Sequence, residues 1–201
     1  MTFESRLGFR RDLARWVGVR DCPPPSAATK LVLANPGVQA VLLLRVQMAL
    51  QASGRQRLAR VVSLLNLRLT GVEFVVGCRV GPGLVLRHPQ GIVIGGGSVI
   101  GEDCTILQQV TLGERYADGT GSAHKCPRVG ARVVIGAGAV ILGDVIVGSD
   151  AVIGANAVVL HDVDAADVVV GVPARATKAL AVAMALYMPP STHRGRSREG
   201  G

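Results

Sequence analysis

Hydrophobic positions follow two different rhythms along this chain. From Phe74 to Val163 the period is six: Phe74-Val-Val-Gly-Cys-Arg, Val80-Gly-Pro-Gly-Leu-Val, Ile94-Gly-Gly-Gly-Ser-Val, Ile100-Gly-Glu-Asp-Cys-Thr and Ile106-Leu-Gln-Gln-Val-Thr. After a break the register returns with hexads led by Val129, Ile135, Ile141, Val147 and Ile153. Position one is nearly always aliphatic, position two is usually Gly, and position five is mostly small or β-branched. A period of six is neither the 3.6 of a helix nor the 2 of an alternating strand. It predicts a solenoid in which each hexad makes one short strand and one corner. The aliphatic residue points inward, and Gly takes up the corner torsions. Three hexads close one triangular turn, and stacked turns share a continuous aliphatic core.

Before the repeat the rhythm is helical. Residues 3–19 read as an amphipathic helix, with Phe3, Leu7, Leu13, Trp16 and Val17 as its apolar contacts. Asp21-Cys-Pro-Pro-Pro-Ser is a breaker, followed by a short helix over 27–33. Asn35 before Pro36 marks a helix start, and that helix runs to about residue 53, where Gly54 ends it. Another spans Gln56 to Leu69, and Gly71 opens the solenoid. After Val163 the repeat degrades. Thr177 to Tyr187 reads as a capping helix, and the residues from Pro189 on have the composition of a disordered tail. The predicted organisation is a helical region over 1–70, a β-solenoid over 71–175 with a projecting loop at 113–127, a C-terminal helix over 176–188 and a basic tail over 189–201.

Two irregularities interrupt the hexads. Leu86 to Val93 takes eight residues where six suffice, which predicts a bulge or widened corner. Leu112 to Arg128 takes seventeen, so a polar, Gly-rich insertion must leave the coil. Loops carried on a rigid scaffold are common places for function.

Composition narrows the reading. Aromatic residues are 3% and hydrophobic residues 49%, which suits a narrow aliphatic core. The net charge of +8 is uneven: residues 1–68 carry eleven basic side chains against three acidic, while 69–190 carry eight against ten. The excess sits on the helical region and tail without aromatic interleaving, so nucleic acid is not the expected partner and an anionic cofactor is. Cys22, Cys78, Cys104 and Cys126 show no metal or disulfide spacing, which fits a reducing, cytoplasmic setting. No signal peptide is visible, and the apolar stretch from Leu31 to Leu50 is interrupted by Asn35, Pro36, Gln39, Arg45 and Gln47. No membrane-spanning helix is expected.

Both irregularities hold candidate chemistry. His88 lies in the bulge, and histidine is the usual general base near neutral pH. The segments Gly71-Val-Glu-Phe, Val80-Gly-Pro-Gly-Leu-Val-Leu-Arg-His-Pro-Gln-Gly-Ile-Val-Ile and Ile106-Leu-Gln-Gln-Val-Thr-Leu-Gly resemble the serine O-acetyltransferase branch of the hexapeptide-repeat acyltransferases. The likeness covers roughly residues 20–180, including the Asn35-Pro-Gly-Val helix start and the ending Val168-Val-Val-Gly-Val-Pro-Ala-Arg175. It implies a mainly β fold, a left-handed parallel β-helix. It also implies acetyl-CoA as acyl donor, a small hydroxyl acceptor, no metal, and a homotrimer, possibly larger. In that branch the His of the bulge is the catalytic base, here His88. An acidic residue fifteen positions earlier orients it, here Glu73, where the family usually has Asp. The pantetheine arm is expected in a groove beside the small residues Gly136, Ala137 and Ala155.

The same likeness marks departures. The family has Asp directly before the catalytic His, where this chain has Arg87, and an Arg-His pair in the projecting loop, where it has Lys125-Cys126. A further family Asp near the N-terminal helices corresponds to Asp21 with a one-residue slip. The family tail that docks into cysteine synthase ends in Ile, whereas this chain ends Gly-Gly, which argues against that partner. The expectation is an O-acetyltransferase with an altered acceptor pocket, acting on serine or a serine-like molecule, with a sugar or another hydroxyl or amine acceptor as the alternative. Cys126, with His124 nearby, is the other conceivable nucleophile. A metal-dependent relative of the γ-class carbonic anhydrases requires three His ligands, and His88, His124 and His161 are widely separated.

Overall fold

A computed structural model of the 201-residue chain describes residues 3–18, 23–115 and 125–177. Four helices come first: α1 (Phe3–Val17), α2 (Pro25–Ala34), α3 (Pro36–Ala52) and α4 (Gln56–Thr70). The solenoid follows in short parallel strands. Its first turn is β1 (Val72–Phe74), β2 (Arg79–Val80) and β3 (Val85–Leu86), and its second β4 (Ile92–Ile94), β5 (Val99–Ile100) and β6 (Thr105–Ile106). The third is β7 (Thr111–Gly113), β8 (Arg128–Val129) and β9 (Val134–Ile135), and the fourth β10 (Val140–Leu142), β11 (Ile146–Val147) and β12 (Val152–Ile153). A fifth turn has β13 (Val158–Val159), a bridge from Val163 to Val147, and β14 (Val168–Val170). Every third strand pairs in parallel, giving a first face of β1, β4, β7, β10 and β13, a second of β2, β5, β8 and β11, and a third of β3, β6, β9, β12 and β14. The leading residues of all ten hexads point inward, none more than 4% exposed.

The glycines do a different job from the one expected. In eight of the ten hexads the left-handed torsion of the corner falls at position four, on Gly77, Gly83, Asp103, Gln109, Arg132, Gly138, Asp150 and Asn156, and in the hexad led by Ile141 it falls one residue earlier, on Gly143. Position-two glycines are required instead by the close stacking of turns: a Cβ on Gly101 would come within 2.6 Å of the Gly130 backbone. Asn and Asp accept the left-handed region better than other side chains, so position four tolerates them and position two does not.

The helices close the open end of the solenoid. Its first turn has no partner below, which would leave strand-edge amides and carbonyls unpaired. Gln47 and Ser63 donate to the Phe74 carbonyl, and Arg45 donates to the carbonyls of Val80 and Gly81. Asp12 accepts from the amides of Gly83 and Leu84 and pairs with Arg45 at 2.8 Å, both side chains only 3% exposed. Burial pushes the Asp12 carboxyl upward, while Arg45 and the two amides favour its charged form. Asn35 caps α3 by accepting from the Gly37 and Val38 amides, with Pro36 in the first turn. α2 begins at Pro25, inside the expected breaker, because proline fits a helix's first turn.

At the far end β15 (Arg175–Ala176) pairs antiparallel with β14, so the helix expected from residue 176 does not start there. Residues 178–201, which include most of that helix and the tail, lie outside the described residues. Among the described residues no single helix is long and apolar enough to cross a membrane, and α2 and α3 meet at 104°.

Candidate active site

One edge of the prism, between the third and first faces, collects most of the sequence-predicted residues. The corners that follow β3, β6, β9 and β12 stack along it. Gly91 N–H donates to the Gly71 carbonyl, Gln109 N–H to that of Gln90, Gly138 N–H to that of Gln108, and Asn156 N–H to that of Ala137. His88 stands on the first of these corners, Gly136 and Ala137 on the third, and Ala155 on the fourth. With turns stacked about 4.8 Å apart, the Ala155 corner lies roughly 14 Å along the edge from the His88 corner. Gly136 is buried, Ala137 half-buried and Ala155 exposed. A Cβ on Gly136 would come within 2.6 Å of the Ala155 nitrogen, so the groove floor is backbone.

The eight-residue corner is built differently from its neighbours. It carries two left-handed residues, His88 (φ 52°) and Gly91 (φ 73°), where an ordinary corner carries one. His88 also precedes Pro89, and that placement disfavours helical backbone. A left-handed histidine before proline stores strain on the order of 1–3 kcal/mol. Such outliers are kept where the side chain has to be aimed, and His88 is exposed at the corner.

Glu73 sits on the outward side of β1, half-buried and in register with Val93. Gly71 pairs with Gly91, so Glu73 and His88 flank the same edge on adjacent turns. Neither side chain has a hydrogen-bond partner among the described residues. Arg87 is exposed beside His88, and its charge, after burial and the charge of Arg11, helps hold the Arg15 guanidinium below its ordinary value. Gln108, on the next corner, keeps its Oε1 buried with no hydrogen-bond partner among the described residues. Sequence reasoning passed over it, because a polar residue at a solenoid corner carries no periodic signal.

The remaining predicted residues stand elsewhere. Lys125 and Cys126 lie on the edge between the first and second faces, where the chain re-enters at β8. Lys125 is exposed in an open depression with Arg79, Arg128 and Asp144. Cys126 is 5% exposed against the coil, with its Sγ 3.8 Å from Glu114 Oε1. Burial pushes its thiol up, with the Glu114 charge adding, which disfavours the thiolate that a nucleophile needs. Asp21 and His124 lie outside the described residues. Among the described residues no group of three or more His, Cys, Asp or Glu is disposed to hold a metal ion.

Residues 127–161 match the bacterial transferase hexapeptide (six repeats) family. A serine acetyltransferase of Helicobacter pylori is 42% identical over 155 residues, covering 75% of this chain and 88% of that protein. One from Synechococcus elongatus is 39% identical over 174 residues, covering 86% of this chain, which spans 65% of that relative's length. Among solved structures, soybean serine acetyltransferase apoenzyme superposes with a TM-score of 0.77 at 33% identity, covering 87% of this chain and 69% of that one. A serine acetyltransferase in complex with CoA gives 0.74 at 31% identity, covering 87% and 70%. The solenoid is therefore a left-handed parallel β-helix, and the chain belongs to the serine acetyltransferase family of hexapeptide-repeat transferases.

Proposed function

We propose that this protein is an acetyl-CoA-dependent O-acetyltransferase acting on the hydroxyl of serine or a serine-like small molecule, with His88 as general base. The observation that carries the reading is the shared edge: a strained, exposed imidazole at one end and a column of small residues at the other. The neutral His88 imidazole accepts the acceptor's hydroxyl proton as the oxygen attacks the thioester carbonyl carbon. The tetrahedral intermediate collapses by breaking the C–S bond, and the imidazolium returns the proton to the departing CoA thiolate. Glu73, across the edge, orients the ring and stabilises the imidazolium formed during transfer. A corner backbone N–H not already paired between turns, or the Gln108 side-chain NH2, is the donor this reading assigns to the developing oxyanion. The pantetheine arm runs along Gly136, Ala137 and Ala155. No metal enters this chemistry.

A homotrimer belongs to the reading. A face one hexad wide, roughly 20 Å of chain at about 3.3 Å per residue, separates the His88 edge from Lys125 and Cys126. These residues meet His88 only if a neighbouring copy supplies them. The outward residues of the first face, Val93, Thr111, Val140 and Val158, are apolar or Thr and only half-buried, whereas Val85, Thr105, Val134 and Val168 on the third face are already buried within the chain. The second face mixes Arg79 and Arg128 with Val99 and Ile146. The half-buried apolar first face beside the His88 edge suits contact with a neighbour. Light scattering that finds a fully active monomer would overturn the trimer. A cytoplasmic setting fits the three described cysteines, all free and buried.

Arg87 and Lys125 favour an acceptor that carries a carboxylate or phosphate, or one whose amine lies away from them. An acceptor panel with acetyl-CoA, followed by release of free thiol, tests the reading. Transfer to hydroxyl compounds of this class is expected, with free L-serine a weaker acceptor that improves in Arg87→Ala. Robust L-serine turnover unchanged in Arg87→Ala would remove Arg87 from the acceptor site. No acetyl transfer to any hydroxyl would overturn the function.

A further inference from the structure

Helix α4 is amphipathic with its apolar side outward. Its buried positions are Ala59, Ser63, Asn66 and Thr70, all small or polar. These are already committed: Ser63 donates to the Phe74 carbonyl, Asn66 to the Ala40 carbonyl, and Thr70 to Asn66. The helix therefore cannot rotate to bury its leucines. Leu58, Val61, Leu64, Leu65 and Leu69 are left 47–68% exposed. Such an apolar surface on one helix marks an interaction site.

The charges say what covers it. α4 carries Arg57, Arg60 and Arg68 and no acidic residue, in a region that is strongly basic overall. These arginines have no ion-pair partner among the described residues. At 100° per residue Arg57 and Arg68 fall between Leu64 and Val61, inside the apolar face rather than beside it. In a protein groove these guanidinium groups would be buried at a desolvation cost, and a second copy of α4 would add like charges. At a lipid surface the same arrangement is favourable, because the leucines enter the acyl boundary while the arginines reach the phosphates.

We infer that α4 docks the protein onto an anionic lipid surface, lying flat in the headgroup region. The absence of a spanning segment is no obstacle, because a helix lying in the interface does not require one. This inference is independent of the acetyl-transfer reading.

The test is flotation of the full chain with phosphatidylglycerol-containing vesicles and, separately, with phosphatidylcholine alone. Binding is expected only to the anionic vesicles. Arg57→Glu with Arg60→Glu should weaken it at least about 30-fold, taking each arginine near the surface as worth about fivefold. Leu64→Gln with Leu65→Gln should abolish it, and both pairs should leave acetyl transfer and thermal stability unchanged. As a second readout, Leu64→Cys in a Cys22→Ser background, labelled with a polarity-sensitive dye, should shift to the blue on anionic vesicles. Absence of anionic binding, or binding that survives both double variants, would overturn the inference. So would a wild-type assembly that shrinks when Leu64 and Leu65 become Gln, since a second copy would then be the occupant.

Discussion

Gly37, in the first turn of α3, lies directly against the backbone carbonyl of Leu86, and a Cβ there would overlap that oxygen. The Trp16 ring closes the other side, 3.0 Å from the same position. The helix start and the strand that leads into Arg87-His88 are therefore one packed unit. Gly37→Ala has no soft neighbour to displace. It is expected to cost about 1–3 kcal/mol in denaturant unfolding, the usual penalty for overpacking. It should also lower turnover beyond what the stability loss explains, because the displaced carbonyl sits two residues before His88. Wild-type stability with wild-type turnover would show that the contact is slack.

The Asp12–Arg45 pair closes the lower end of the coil with both charges out of water. Removing one partner leaves the other charge buried alone. Asp12→Ala should therefore cost about 3–5 kcal/mol. The double variant Asp12→Ala with Arg45→Met should recover part of that loss, though the amides of Gly83 and Leu84 stay without their acceptor. A double-mutant cycle in chemical denaturation reads the coupling directly. A cost below about 1 kcal/mol for Asp12→Ala, the ordinary value of an exposed pair, would contradict the buried assignment.

The repeat is legible in the sequence because an aliphatic leader recurs ten times in one register, and an apolar residue at every sixth position is the signature of stacked solenoid turns. The helix starts at Pro36 and Gln56 are legible from local breaker and capping chemistry. The cap of the first turn is not. Asp12, Arg45, Gln47 and Ser63 look like ordinary polar helix residues, and only the fold reveals that they meet unpaired strand groups. The role of the position-two glycines is hidden too, since sequence does not show how closely one turn stacks on the next. His88 stands out through two extra residues in the period. Gln108, on the next corner, does not, because its hexad keeps the six-residue length and position three follows no rule.

Ala155 is exposed on the edge shared with His88, three turns away. Bulk there should obstruct a cofactor arm without disturbing the core. Ala155→Trp is expected to raise the KM for acetyl-CoA by at least about tenfold, a loss of about 1.4 kcal/mol of binding, with thermal stability and the acceptor KM near wild type. An unchanged acetyl-CoA KM would move the cofactor off this edge.

The central claim is that His88 takes the proton from the acceptor. Steady-state acetyl transfer by His88→Ala, compared with wild type at saturating acetyl-CoA, tests it most directly. Turnover should fall about 10²–10⁴-fold, the range for loss of a positioned base, while CoA binding is retained and the oligomer is unchanged. Turnover within a few-fold of wild type would contradict the assignment.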